Sequence, residues 1–172
     1  MPAPGGALQL QARVRLDGAP VFALLSAHGR LFAGLASRDV RCAAWADVLE
    51  HDMATMQRAC GGHTGWVRAL ATDDAGLLLS VGCNFVRAWE LGALAPLGQA
   101  RLFTGDVLAL AARQAQLFSG GADGSLHRFA LCADERPAVV LLQSVKAAHN
   151  GRVEVRLGKI CAEFLAPAGW TL

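Results

Sequence analysis

The stretch "GGHTGWVRALATDDAGLLLSVGCNFVRAWEL", residues 61–91, carries the pattern from which the rest of the chain can be read. It opens on Gly-His and closes on Trp-Glu, with apolar runs between. The turns "TDDAG" (72–76) and "CN" (83–84) are Asp, Asn and Gly clusters, residue types that reverse a chain at low steric cost. The runs between turns are about five to eight residues long, a strand length. "FVRAW" (85–89) alternates, with Val86 and Ala88 on one face, as a half-buried strand requires. The stretch predicts a set of short antiparallel strands.

Two further segments repeat the pattern, "APVFALLSAHGRLFAGLASRDVRCAAW" (19–45) and "TGDVLALAARQAQLFSGGADGSLHRF" (104–129). Their opening valines, Val21, Val67 and Val107, are 46 and 40 residues apart, and Val153 in "AAHNGRVEV" follows after another 46. Their closing aromatics, Trp45, Trp89 and Phe129, are 44 and 40 apart. A period of about 40–45 residues with four short strands is the length of a propeller blade. Ala and Leu favour helix, and "VLALAARQAQLF" (107–118) in isolation reads as an amphipathic helix. The repeat frame assigns it to strands instead.

On these residues the chain resembles the WD40-repeat family. Gly62-His63 matches the family's Gly-His opening, and Trp89-Glu90 stands where the family has Trp-Asp. "SGGADGSLHRF" (119–129) follows the family's Ser-Gly-Ser-x-Asp run with Phe129 in place of Trp, and "SRDVRCAAW" (37–45) sets Asp39 six residues before Trp45. The resemblance spans roughly 8–155 and implies an all-β, WD40-type β-propeller, incomplete at about three blades plus part of a fourth. The expected divisions are a flexible N-terminus (1–7), a repeat region (8–157, with units near 8–46, 53–91, 98–130 and a partial 137–157) and a divergent tail (158–172). "LQLQARVRL" (8–16), "MATMQRAC" (53–60), "GQARLF" (98–103) and "PAVVLLQSV" (137–145) are the expected outer strands. "RVEVRL" (152–157) is the expected first inner strand of the fourth unit.

The resemblance also implies roles. In WD40 blades the Gly-His histidine, a Ser or Thr, the turn Asp and the Trp form a hydrogen-bonded chain. That makes His63, Ser80, Asn84 and Trp89 the blade-stabilising set of the second unit, with Asp39 and Trp45 in the first and Asp123 and Phe129 in the third. Asn84 replaces Asp in a shorter turn, and Phe103 stands where the third unit's His belongs. Leu77, Leu79, Val86, Leu117, Phe118 and Leu126 are expected in the core, whereas Arg128 falls where an apolar residue is expected. Family partners dock on the end where inner strands begin. By that rule the docking set is Thr64, Trp66, Arg38, Thr104, Asp106, Ala122, Asn150 and Arg152. Trp66 beside Arg and Asp has the composition of an interface hot spot. Packing into a neighbouring blade is its alternative.

Bulk composition narrows the rest. Hydrophobic residues make up 53% and charged residues 17%, far from a disordered composition. Sixteen basic and 14 acidic residues leave a net charge of +2 with no basic run, so no nucleic-acid partner is expected. "AVVLL" (138–142) is too short to span a bilayer, so no membrane partner is expected. Five widely spaced cysteines, Cys42, Cys60, Cys83, Cys132 and Cys161, and the lack of a basic n-region ahead of an apolar block point to an intracellular location, cytoplasmic or nuclear. Cys60-x-x-His63 has no second pair at zinc-finger distance, and "SGGADGS" lacks the Lys of a phosphate loop. No metal, cofactor or catalytic residue is expected.

The resulting expectation is a non-catalytic scaffold binding a protein or peptide partner through the propeller's top face. Further blades from a longer chain or another subunit are the other implied partners. The alternatives are a fragmentary propeller without independent function and the propeller platform of a larger enzyme or complex.

Overall fold

A computed structural model describes residues 16, 18–49, 56–73, 76–101, 105–132, 138–147 and 153–163. Over 49, 57–59, 132, 138–144, 146–147 and 153–163 the description is of the backbone alone. The strands are β1 (Val21–Ala27), β2 (Arg30–Leu35), β3 (Val40–Ala44), β4 (Gln57–Cys60), β5 (Val67–Thr72), β6 (Leu77–Gly82), β7 (Phe85–Glu90), β8 (Pro96–Arg101), β9 (Val107–Arg113), β10 (Gln116–Gly121), β11 (Ser125–Cys132), β12 (Ala138–Ala147) and β13 (Val153–Glu163). One short helix, α1 (Trp45–Leu49), follows β3.

They form three antiparallel meanders, ordered β1-β2-β3-β4, β5-β6-β7-β8 and β9-β10-β11-β12-β13. The innermost strands abut in succession, β1 on β5 and β5 on β9, so the sheets stand side by side. The 107–118 stretch is a hairpin. Gln114 and Ala115 take φ of 50° and 55°, the two left-handed residues of a type I′ turn. Helix propensity yields here because Leu110 and Ala112 pack against the core of the second sheet, a gain that a free helix would forgo.

Two apolar interfaces hold the sheets together. Between the first and second lie Phe32, Val40, Val67, Leu70, Leu78 and Trp89. Between the second and third lie Leu79, Val81, Val86, Leu117 and Phe129. Each fully buried Leu, Val or Phe contributes about 1.5–3 kcal/mol. Gly34 permits the first contact, since a Cβ there would lie 2.8 Å from Val67 Cγ1 and 2.9 Å from its carbonyl oxygen. On the first sheet's other face Ala33, Leu35 and Ala43 are buried under Met56, with Leu16, Ala19 and Val48 packed against them.

Several expectations are corrected in detail. Phe118 is only half-buried and Leu126 is 53% exposed, because both face outward from the third sheet, away from the second. Arg128 lies on that same outward face, where its Nε donates to Gln116 Oε1 at 3.0 Å. The partial fourth unit is present as two strands, but both belong to the third sheet. β12 pairs with β11, and β13 pairs back onto β12 instead of opening a sheet of its own. β13 also runs through 158–163, into the expected tail. The expectations for 1–7, for the outer strand at 8–15 and for the tail beyond 163 lie outside the described residues.

Candidate functional site

Chain reversal brings four features to one end of each sheet: the start of the inner strand, the close of the second strand, the turn after it and the start of the third. Val21 pairs with Leu35 and Val40 with Gly34; Val67 pairs with Gly82, which also pairs with Phe85. All three inner strands then shift register by one residue just past their opening valine, between Val21 and Ala23, Val67 and Ala69, and Val107 and Ala109. A residue inserted this way leaves the ladder and is re-aimed. The three re-aimed residues are Phe22, Arg68 and Leu108.

Trp66, immediately before Val67, is 49% exposed, and Phe22 from the neighbouring sheet is 41% exposed. Their rings stack with centroids 5.3 Å apart at 17°. The Arg68 guanidinium carbon sits 5.1 Å from the Trp66 ring centre and 5.6 Å from that of Phe22, within cation–π range of both. Trp66 therefore packs against both Phe22 and Arg68 and still remains about half exposed. Thr64, Arg38, Asp106 and Ala122 are also exposed at this end, and the Ala122 N–H donates to the Asp106 carbonyl at 2.9 Å. Thr104, Asn150 and Arg152, with Phe103, lie outside the described residues. Sequence reasoning missed Phe22 and Arg68. Their signal was the alignment of the opening valines, which puts both one residue past the valine.

The blade-stabilising chain forms in the second sheet. Ser80 Oγ lies 2.8 Å from His63 Nε2 and receives the Trp89 indole N–H at 2.8 Å. Gly82 leaves room for the imidazole, as a Cβ there would meet His63 Nδ1 at 2.7 Å. Burial pushes the His63 pKa down to about 3, helped by the Arg87 guanidinium. Asn84 is not part of the chain, and Nδ1 of His63 has no hydrogen-bond partner. With its oxygen turned toward Arg101, the Asn84 amide instead accepts from Nε at 3.1 Å and Nη2 at 3.2 Å. The two-residue turn, with Cys83 at φ 57°, starts β7 too early for this side chain to reach inward.

The first and third sheets differ. Register places Ala43, not Trp45, opposite Leu31, where the second sheet has Trp89 opposite Leu78. Trp45 begins α1 and donates its indole N–H to Ser26 Oγ at 2.8 Å. Asp39 is half-buried in the turn, its carbonyl accepting from the Leu35 N–H at 3.0 Å. In the third sheet Phe129 is buried but has no N–H for Ser119, whose buried hydroxyl lacks a partner. Asp123 accepts from the backbone N–H of Ser125 at 3.0 Å and from its hydroxyl, and Ser125 Oγ lies 2.9 Å from His127 Nε2. This is not a nucleophilic triad. The carboxylate takes the serine hydroxyl where a triad would have it orient the imidazole, and the adjoining cavity of about 10 Å³ holds roughly one water.

Solved structures share the architecture. The WD40 repeats of RRP9 superpose with a TM-score of 0.54 at 16% identity over 81% of this chain and 52% of that one. The WD40 β-propeller domain of Doa1 gives 0.55 at 13% over 84% and 54%. The fold is that of a WD40-type β-propeller. The computationally designed Ika4 protein superposes with a TM-score of 0.58 at 20% identity over 88% of this chain and 99% of its own. The chain thus spans about half the length of the RRP9 and Doa1 structures and nearly all of Ika4. No protein-family model matches the sequence, and no curated protein does. Among the described residues, no helix is long and apolar enough to cross a membrane, and no group of three or more His, Cys, Asp or Glu could hold a metal.

Proposed function

We propose that this WD40-type propeller segment is a non-catalytic scaffold that docks a protein or peptide on the end where its inner strands begin. The carrying observation is the Phe22–Trp66 stack under Arg68: two large aromatics left about half exposed on a rigid sheet end, at the junction of two blades. Aromatic and arginine side chains held in place before binding are the usual anchors of interfaces. Thr64, Arg38, Asp106 and Ala122 frame the anchor, and Thr104, Asn150 and Arg152 complete the proposed set by sequence position. The free thiols of Cys42, Cys60 and Cys83 fit a reducing, intracellular setting.

Site-directed photo-crosslinking tests the reading. A benzophenone side chain at Thr64 should yield discrete adducts in cells, whereas one at Ala93, at the opposite end of the second sheet, should not. Adducts of equal yield from both positions, or from neither, would remove the docking end. A second reading, a platform within a larger ring, is favoured by the outward face of the third sheet, where Leu126 is exposed.

A further inference from the structure

The shared register shift says more about the partner than exposure alone does. It sets Phe22, Arg68 and Leu108 at the same position in three successive sheets, and Leu108 is 47% exposed. The row therefore runs aromatic, cation, aliphatic, with Trp66 stacked against its aromatic end. Among the described residues no carboxylate pairs with Arg68. Its interactions are with the faces of two rings. A guanidinium lying over aromatic rings still presents its in-plane N–H donors at the edge, in the fork that fits a carboxylate. The rings hold the fork in place, so little side-chain freedom remains to be lost on binding.

We propose that the row binds a peptide segment in which an Asp or Glu is flanked by apolar side chains. The carboxylate is received edge-on by Arg68, one apolar neighbour covers the Phe22–Trp66 stack, and the other lies on Leu108. The assignment rests on the docking reading above and names its chemistry. Charge complementarity selects the occupant: an unpaired cation between apolar contacts disfavours a basic or purely polar segment. The exposed Asp106, next to the third position, adds repulsion against a second acidic residue there.

The test uses the full chain. A random short-peptide library is selected against it, and the enriched peptides are measured by fluorescence anisotropy. Enriched peptides should share one Asp or Glu beside apolar residues. Arg68→Gln should weaken them by about tenfold or more, the loss expected for one charge-assisted hydrogen-bonded pair. Changing the peptide's Glu to Gln should weaken binding to the wild-type chain equally, and the two changes together should add little. Arg68→Lys, which keeps the charge but not the fork, should fall between. Thermal unfolding reports whether each variant folds; if Arg68→Gln does not, the Glu-to-Gln peptide on the wild-type chain decides. Enriched peptides without an acidic residue that still lose binding in Trp66→Ala would overturn the acidic partner and leave the docking end intact. Peptides indifferent to both Trp66 and Arg68, or no enrichment, would overturn both. A peptide bound tenfold better with phosphoserine in place of Glu would reassign the anion to a phosphate and overturn the carboxylate.

Discussion

The second and third sheets share one backbone plan and differ in what surrounds it. Ser80 pairs with Arg87 in one and Ser119 with His127 in the other; Leu78 pairs with Trp89 and Leu117 with Phe129. Yet Ser80 is bonded on both sides, while Ser119 has no partner. Val86 is fully buried, and its counterpart Leu126 is exposed. The strand plan tolerates loss of the polar chain because register comes from ladder pairing and turns. In the second sheet the polar chain satisfies a buried serine, whereas the equally buried Ser119 carries the cost of an unmade hydrogen bond because Phe129 offers no side-chain donor.

Substitutions at matching depth would break or sharpen the contrast. The largest effect is expected at the core. Leu79→Ala should lower stability by about 2–5 kcal/mol, whereas Leu126→Ala should stay within about 0.5 kcal/mol. Urea unfolding reads both, and equal losses would mean that the third sheet's outward face is covered in solution. Next come the serines. Ser80→Ala strands the Trp89 indole N–H and His63 Nε2 and should cost about 1–3 kcal/mol. Ser119→Ala removes a hydroxyl that has no partner and should be neutral or slightly stabilising in the same assay.

Acid should act on the second sheet through His63. Unfolded, this imidazole takes up a proton below its ordinary pKa of 6.5; folded, it resists until about pH 3. Stability should therefore be full above pH 6.5 and fall as pH drops through that window, by up to about 1.4 kcal/mol per pH unit. His63→Gln should flatten melting temperature against pH over the same range. His127 is also held below its ordinary pKa by burial, opposed by Asp123, so it adds a loss of the same sign. Trp45→Phe, which removes one exposed hydrogen bond, should cost only about 0.5 kcal/mol in urea unfolding.

How legible these features were in the sequence follows the same physics. The opening valines Val21, Val67 and Val107 do mark the starts of inner strands; Val67 and Val107 are buried there, whereas Val21 is 45% exposed. The His63–Ser80–Trp89 chain was readable through the resemblance to WD40 blades, whose Gly-His, Ser and Trp positions these residues occupy. Trp45 misled, since spacing alone does not reveal that β3 ends at Ala44 and hands the aromatic to a helix. Asn84 misled because a turn shortened by one residue redirects the side chain just before β7. Leu126 and Phe118 read as core because an apolar residue on a strand does not say whether a neighbour covers that face. Phe22 and Arg68 stayed hidden because a register shift re-aims a side chain without any mark in composition.

The first sheet's rear face has a consequence for assembly. Ala33 and Leu35 already lie under Met56, with Leu16, Ala19 and Val48 packed alongside. A neighbour arriving on that flank would have to evict this plug before touching the strands beneath. On the third sheet's flank, among the described residues, Leu126 is exposed and Phe118 half-buried. Among the described residues the two flanks are thus unlike: one is capped by its own chain, and the other leaves Leu126 bare.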